Sequence, residues 1–263
     1  ASMDDAASKQ SHSHDIRPQW VGLEALEPRI LLSAYVVDSL TDITDAGDGV
    51  TTLREAIEAA NAAPGADTIQ FATDPGTITL GGTQIEITDD LTLTGPGFDL
   101  LTIDANTASR IFRFRPGVTA TLDGLTISGG AAFFDDGGGI YNEGDLTLTA
   151  CAVTQNGSDE HGGGIYSAAT GSLTIRTSTL THNRSDRDGN LNGGGGAIWS
   201  EGSLDISDSV LSDNSAGLYA GGLYSVGTAS LRNSTVQANT TQAAAGGIHS
   251  RAAMTPHDCT SHG

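Results

Sequence analysis

The tetrapeptide Gly138-Gly139-Ile140-Tyr141 returns along the chain as Gly163-Gly164-Ile165-Tyr166, Gly195-Gly196-Ala197-Ile198-Trp199, Gly221-Gly222-Leu223-Tyr224 and Gly246-Gly247-Ile248-His249. Its apolar members, at 140, 165, 198, 223 and 248, are spaced 25, 33, 25 and 25 residues apart. A second phase runs beside it: Val153-Thr154-Gln155-Asn156, Leu180-Thr181-His182-Asn183, Leu211-Ser212-Asp213-Asn214 and Val236-Gln237-Ala238-Asn239. Between the two phases lie short alternating segments at 146–148, 173–175, 204–206 and 229–231. Weaker copies precede them at 78–80, 85–87, 91–93, 101–103 and 122–127. A fixed period marks a repeat architecture, and apolar residues at every second position mark strands. A period of about 25 residues is too short for a propeller blade and carries no helical spacing. It predicts an all-β chain, a right-handed parallel β-helix, with equivalent residues stacked about 4.8 Å apart. On this reading inward Ile, Leu and Val form apolar ladders. The Gly pairs make tight corners at positive φ. Asn156, Asn183, Asn214 and Asn239 form an inward ladder of amides. Residues 66–250 hold about seven such coils.

Ahead of the repeats, residues 51–63 read as one amphipathic helix. Leu53, Ala56, Ile57 and Ala60 share a face. Thr52 and Glu55 form a capping box, and Pro64-Gly65 stops the helix. A stacked sheet leaves its first coil with an open apolar end, and a helix can cover it. Tyr35-Val36-Val37 is a short strand candidate before it. The expected organisation is a disordered region over 1–34, strand, loop and capping helix over 35–65, the β-helix over 66–250, and an irregular tail over 251–263. The chain is read as a piece of a larger protein.

Three segments resemble known families. Leu53-Arg54-Glu55-Ala56-Ile57 is similar to the hallmark string of the CSLREA domain, with Thr where that family has Cys. Leu26, Glu27, Pro28, Arg29, Leu31 and Leu32 resemble the LEPR-XLL motif of very large bacterial surface or exported proteins, which implies sorting or processing. Gly195-Gly196-Ala197-Ile198 resembles the repeats of polymorphic outer-membrane proteins, although the Phe of their Phe-x-x-Asn element is Val or Leu in every copy here. These resemblances imply an exported or cell-surface protein. The solenoid itself is pectate-lyase-like, and other parallel β-helices are polysaccharide lyases and glycoside hydrolases. Fold alone does not choose among these functions.

Composition narrows the choice. The chain of 263 residues carries a net charge of −20, with one Lys and scattered Arg, which argues against nucleic acid as a partner. No run of 18 apolar residues occurs, so no membrane-spanning segment is expected. Cys151 and Cys259 are too few for a disulfide framework or a zinc site. Cys151 holds the repeat position of Ser178, Ser209 and Ser234, and reads as a small tucked-in side chain.

Acidic inserts precede successive Gly-Gly corners: Asp135-Asp136, Asp159-Glu160-His161 and Asp186-Arg187-Asp188. Coils in register bring them to one edge. Paired carboxylates about 5–9 Å apart serve glycosidases as acid, base or nucleophile. Carboxylate clusters also bind Ca²⁺. The alternative catalytic set is therefore Asp136, Glu160, His161 and Asp186. The plainer account is that these are hydrophilic corner turns. Asp188-Gly189-Asn190-Leu191-Asn192-Gly193 matches the opening of a calcium loop, but Trp199 stands where the bidentate Glu belongs. The candidate calcium ligands are Asp186, Asp188, Asn190 and Asn192, and no other cofactor is expected. The reading that follows is a non-enzymatic, structural or adhesive β-helix module with glycans or surface proteins as partners. The alternative is a polysaccharide lyase or glycoside hydrolase using the corner carboxylates.

Overall fold

The computed structural model describes residues 32–243 and 246–262. Three parallel sheets wind around a common core. Sheet A has nine strands, from Ala34–Val37 and Asp67–Phe71 to Ala229–Arg232 and Met254–His257. Sheet B has eight, from Gly76–Thr79 to Thr260–His262, and sheet C has seven, from Ile85–Ile87 to Ile248–Ser250. The chain visits the sheets in rotation and makes about seven turns of a right-handed parallel β-helix.

Register follows the repeat. Ile85, Phe112, Ile140, Ile165, Ile198, Leu223 and Ile248 are consecutive partners in sheet C. In sheet B the inward column runs Ile78, Ile103, Ile127, Val153, Leu180, Leu211, Val236. Nearly all of these side chains are buried in one continuous core. The helix Leu53–Ala62 packs on the strands Ala34–Val37, Asp67–Phe71 and Ile85–Ile87 through Leu53, Ala56, Ile57 and Ala60. Thr52 and Glu55 close a reciprocal capping box. Arg54 grips Asp42 with two hydrogen bonds of 2.8 Å and donates to the carbonyls of Thr83 and Gln84, so it is a structural clamp.

Polar columns turn the corners. Asn156, Asn183, Asn214 and Asn239 are buried. Asn156 Nδ2 donates to Asn183 Oδ1 (3.1 Å), Asn183 Nδ2 to Asn214 Oδ1 (3.0 Å) and Asn214 Nδ2 to Asn239 Oδ1 (2.9 Å). Each amide oxygen also accepts the backbone N–H of the preceding Asn in the column. Each Nδ2 also donates to a carbonyl of the preceding coil, Ile127, Val153, Leu180 and Leu211 in turn. The residue before each Asn (Gln155, His182, Asp213, Ala238) is left-handed. A second column works alike: the hydroxyls of Ser178, Ser209 and Ser234 accept the N–H groups of Cys151, Ser178 and Ser209.

Two expectations need correction. The left-handed glycines of the Gly-Gly corners are Gly137, Gly162 and Gly195, with φ of 65°, 62° and 64°, and in the first two corners they precede the quoted pair. Gly138, Gly163, Gly196 and Gly221 are required for another reason. A Cβ there would collide with the backbone of Gly157, Arg184, Ser215 and Thr240 respectively, because the opposite wall of the coil passes at contact distance. In place of an irregular tail over 251–263, Met254–His257 and Thr260–His262 continue sheets A and B. Backbone pairing with the previous coil holds these strands whatever their side chains, and Pro256, partner of Leu231, masks the alternation in the sequence. Of the LEPR-XLL-like residues, Leu26, Glu27, Pro28, Arg29 and Leu31 lie outside the described residues, and Leu32 is exposed.

Removing one rung should show what the Asn ladder contributes. Asn183→Ala leaves buried donors and acceptors of two neighbouring coils unpaired, and should lower stability by on the order of 3 kcal/mol. Urea unfolding measures this, and an unchanged midpoint would mean the ladder bears no weight.

Candidate functional site

The first two acidic inserts sit on one corner, stacked coil on coil. The first follows the short strand Ala131–Ala132, and the second follows Gly157–Ser158, which pairs with it in parallel. This pairing places Asp136 beside His161 and Asp159 beside Phe134. Asp136 Oδ1 accepts the His161 N–H (2.8 Å), and Asp159 Oδ2 accepts the Phe134 N–H (2.8 Å). Asp135 Oδ2 pairs with the buried Arg110 at 2.7 Å. Glu160 Oε2 accepts from Asn192 Nδ2 (2.8 Å), tying the second insert to the third.

The outward column of sheet C runs beside this corner: Glu86, Arg113, Tyr141, Tyr166, Trp199, Tyr224, His249. Its rings stack. Tyr224 lies 3.9 Å from Trp199 between centroids, and His161 covers the indole at 3.8 Å and 7° between planes. Glu201 accepts from Trp199 Nε1 (3.3 Å).

Electrostatics at this corner are unusual for a surface. Loss of hydration raises the Asp136 carboxyl from 3.8 to about 6. The His161 N–H opposes this, while the like charges of Asp135, Glu160 and Glu201 add to it. Burial lowers the His161 pKa and raises that of Tyr166. Asp136, Glu160 and His161 are thus brought together, with Tyr166, Trp199 and Glu201 around them. Glu201 went unnoticed in the sequence. The one available signal was its place two residues after Trp199, beyond the aromatic of the repeat.

Asp186 stands one coil further along, where Arg184 bridges Gly157 in parallel. It is buried in the third insert, where Oδ1 accepts the Leu191 N–H (2.7 Å). The candidate calcium ligands share one loop, whose bonds the structure defines. Asp188 binds the backbone and side chain of Asn190, and Asn192 turns its amide to Glu160. Among the described residues no group of three or more His, Cys, Asp or Glu side chains is arranged to hold a metal ion. Cys151 is buried, with its thiol pushed up to about 11 by burial, which makes it a poor nucleophile. Among the described residues no helix is long and apolar enough to cross a membrane.

No family model matches the chain, and no curated protein matches it. Among solved structures, the crystal structure of pectate lyase Pel9A is similar, with a TM-score of 0.54 and 16% identity over 80% of this chain and 55% of that one. The chain thus spans about half the length of that lyase. At this identity the likeness shows the fold, a parallel β-helix of the pectate lyase type, and leaves open whether the module is a lyase or has no activity.

Two measurements test these environments. Between about pH 4 and about pH 6 the folded chain keeps a proton on Asp136 that the unfolded chain has released. Its contribution to stability is therefore largest at low pH and falls as pH rises through that window. His161, with its depressed pKa, pulls the opposite way, so the difference between variant and parent isolates Asp136. Asp136→Asn keeps the oxygen that accepts from His161. It should be about 1–2 kcal/mol more stable than the parent at pH 7, after allowance for the solvent that still reaches the group, and should gain nothing at pH 4. Parallel pH profiles of the urea midpoint would refute the assignment. Secondly, a thiol reagent should titrate Cys259 in the native chain and reach Cys151 only in denaturant. Equal rates for both would contradict the burial of Cys151.

Proposed function

We propose that this chain is a non-enzymatic parallel β-helix module of a larger exported or cell-surface protein, with a structural or adhesive role. One observation carries the reading: three corner carboxylates each commit one oxygen to holding loops together. Asp136 and Asp159 each hold a backbone N–H of the neighbouring coil, and Glu160 holds Asn192 across the insertion. A catalytic pair is aimed at substrate, whereas these bonds anchor the side chains to neighbouring loops. The resemblance of residues 26–32 to a sorting motif supports export.

A second reading has one observation in its favour. A half-buried carboxyl raised to about 6 beside another carboxylate is a suitable general acid for glycoside hydrolysis, which makes Asp136 with Glu160 the alternative pair. Elimination on an acidic polysaccharide has less support. It needs positive charge to neutralise the uronate, and Arg110, Arg113 and Arg115 are already paired with Asp135, Glu143 and Glu86.

Incubation with neutral and acidic polysaccharides, with and without Ca²⁺, separates these readings. Neither new reducing ends nor unsaturated products are expected. Turnover that disappears in Asp136→Ala and Glu160→Ala would make the corner an active site and overturn the proposal.

A further inference from the structure

The loop after Ala131–Ala132 opens with two exposed aromatics. Phe134 is 85% exposed and Phe133 52%. Phe134 is held in the left-handed region at φ 53°, which a bulky residue rarely adopts. Asp159, itself buried, fixes that conformation by accepting the Phe134 N–H. The Arg187 guanidinium lies over the Phe133 ring at 4.9 Å, reaching it past Gly157, where any Cβ would collide with the Arg187 side chain. The chain therefore fixes two apolar rings in an exposed position that hydrophobic burial alone would not favour.

Phe133 also walls a cavity of about 180 Å³ lined by Gln84, Arg110, Ala131, Ala132 and Asp135. Its polar groups are fixed but not exhausted. Arg110 donates through Nε to Gly137 O, through Nη1 to Gln84 Oε1, and through Nη2 to Asp135 Oδ2 and Asp136 O. A guanidinium has five N–H groups, so one on Nη1 remains. Gln84 Nε2 gives one N–H to Glu86 and keeps the other. Asp135, with half its side chain exposed, retains acceptor capacity beside them.

We infer that this pocket holds one pyranose unit of a neutral glycan. It deepens the adhesive reading above, on which it rests, by naming the ligand class and the place. An aromatic wall suits the C–H face of a sugar ring. Two fixed donors and a carboxylate acceptor suit neighbouring hydroxyls, which both give and take hydrogen bonds. Phe134 at the rim offers a second stacking surface for the next unit. The cavity has room for about one ring. The charge of −20 and the carboxylates of Asp135, Asp136 and Glu160 nearby disfavour uronates, sialylated and phosphorylated chains.

The test is binding of the whole chain to immobilised oligosaccharides of glucose, galactose, mannose and xylose, with polygalacturonate as the charged comparison. Calorimetry then follows on any sugar that is retained. A neutral oligosaccharide should bind. Phe133→Ala and Phe134→Ala should each weaken it by about tenfold or more without moving the thermal midpoint. No binding of any neutral sugar, undiminished binding in both variants, or a preference for polygalacturonate would each overturn the pocket assignment and leave the scaffold reading standing. Cleavage of a bound neutral sugar that persists in Phe134→Ala would instead overturn the non-enzymatic reading and leave the pocket in place.

Discussion

Backbone meets backbone inside four successive coils at the glycine two residues before the inward aliphatic of sheet C. Gly138, Gly163, Gly196 and Gly221 face the short strand that follows the Asn corner, with no space for a Cβ. The rest of the cross-section depends on this contact. It closes the coil on its narrow side, sets the Asn corner at the other end of that strand, and leaves the wider part for the aliphatic ladders. Coils that close in the same way stack in register, and parallel hydrogen bonding then joins like residues from one coil to the next. The position after that glycine is less demanding, since Ala197 occupies it in one coil.

Stacking decides what each outward position can become. In sheet C one column changes along the axis from charged Glu86 and Arg113 to the rings of Tyr141, Tyr166, Trp199 and Tyr224. The rings are close because the strand spacing is close, and His161 joins them from the corner loop. Asp136 lies near enough to this wall for Tyr141 and Tyr166 to feel its charge. The raised carboxyl, the depressed imidazole and the raised Tyr166 phenol thus share a cause: polar groups packed against a stack that the repeat itself builds. Perturbed groups often mark active sites, but structural networks perturb them too. Here the loop-holding bonds of Asp136, Asp159 and Glu160 give the shift a structural setting.

Much of this was legible as text. The spacing of Ile140, Ile165, Ile198, Leu223 and Ile248 is the register of sheet C, residue for residue, because a parallel solenoid converts sequence period directly into spatial neighbours. The capping box at Thr52 and Glu55 is equally local. The juxtaposition of Asp136 with His161 followed from the same period. Less legible were Met254–His257 and Thr260–His262, where Pro256 and polar residues hide strands that exist because the previous coil templates them.

By itself the sequence determined which residues repeat, and so the solenoid, its inward ladders and its helical cap, because each depends on identity at fixed intervals. Tertiary structure alone decided why the glycines are needed and which carboxylates are occupied. It also decided that Phe133 and Phe134 stand exposed beside a polar cavity. Those outcomes depend on distances between chain segments that share no local signal. The approach of two backbones, the partner of a side-chain oxygen and the water left around a ring exist only once the coils have closed and stacked.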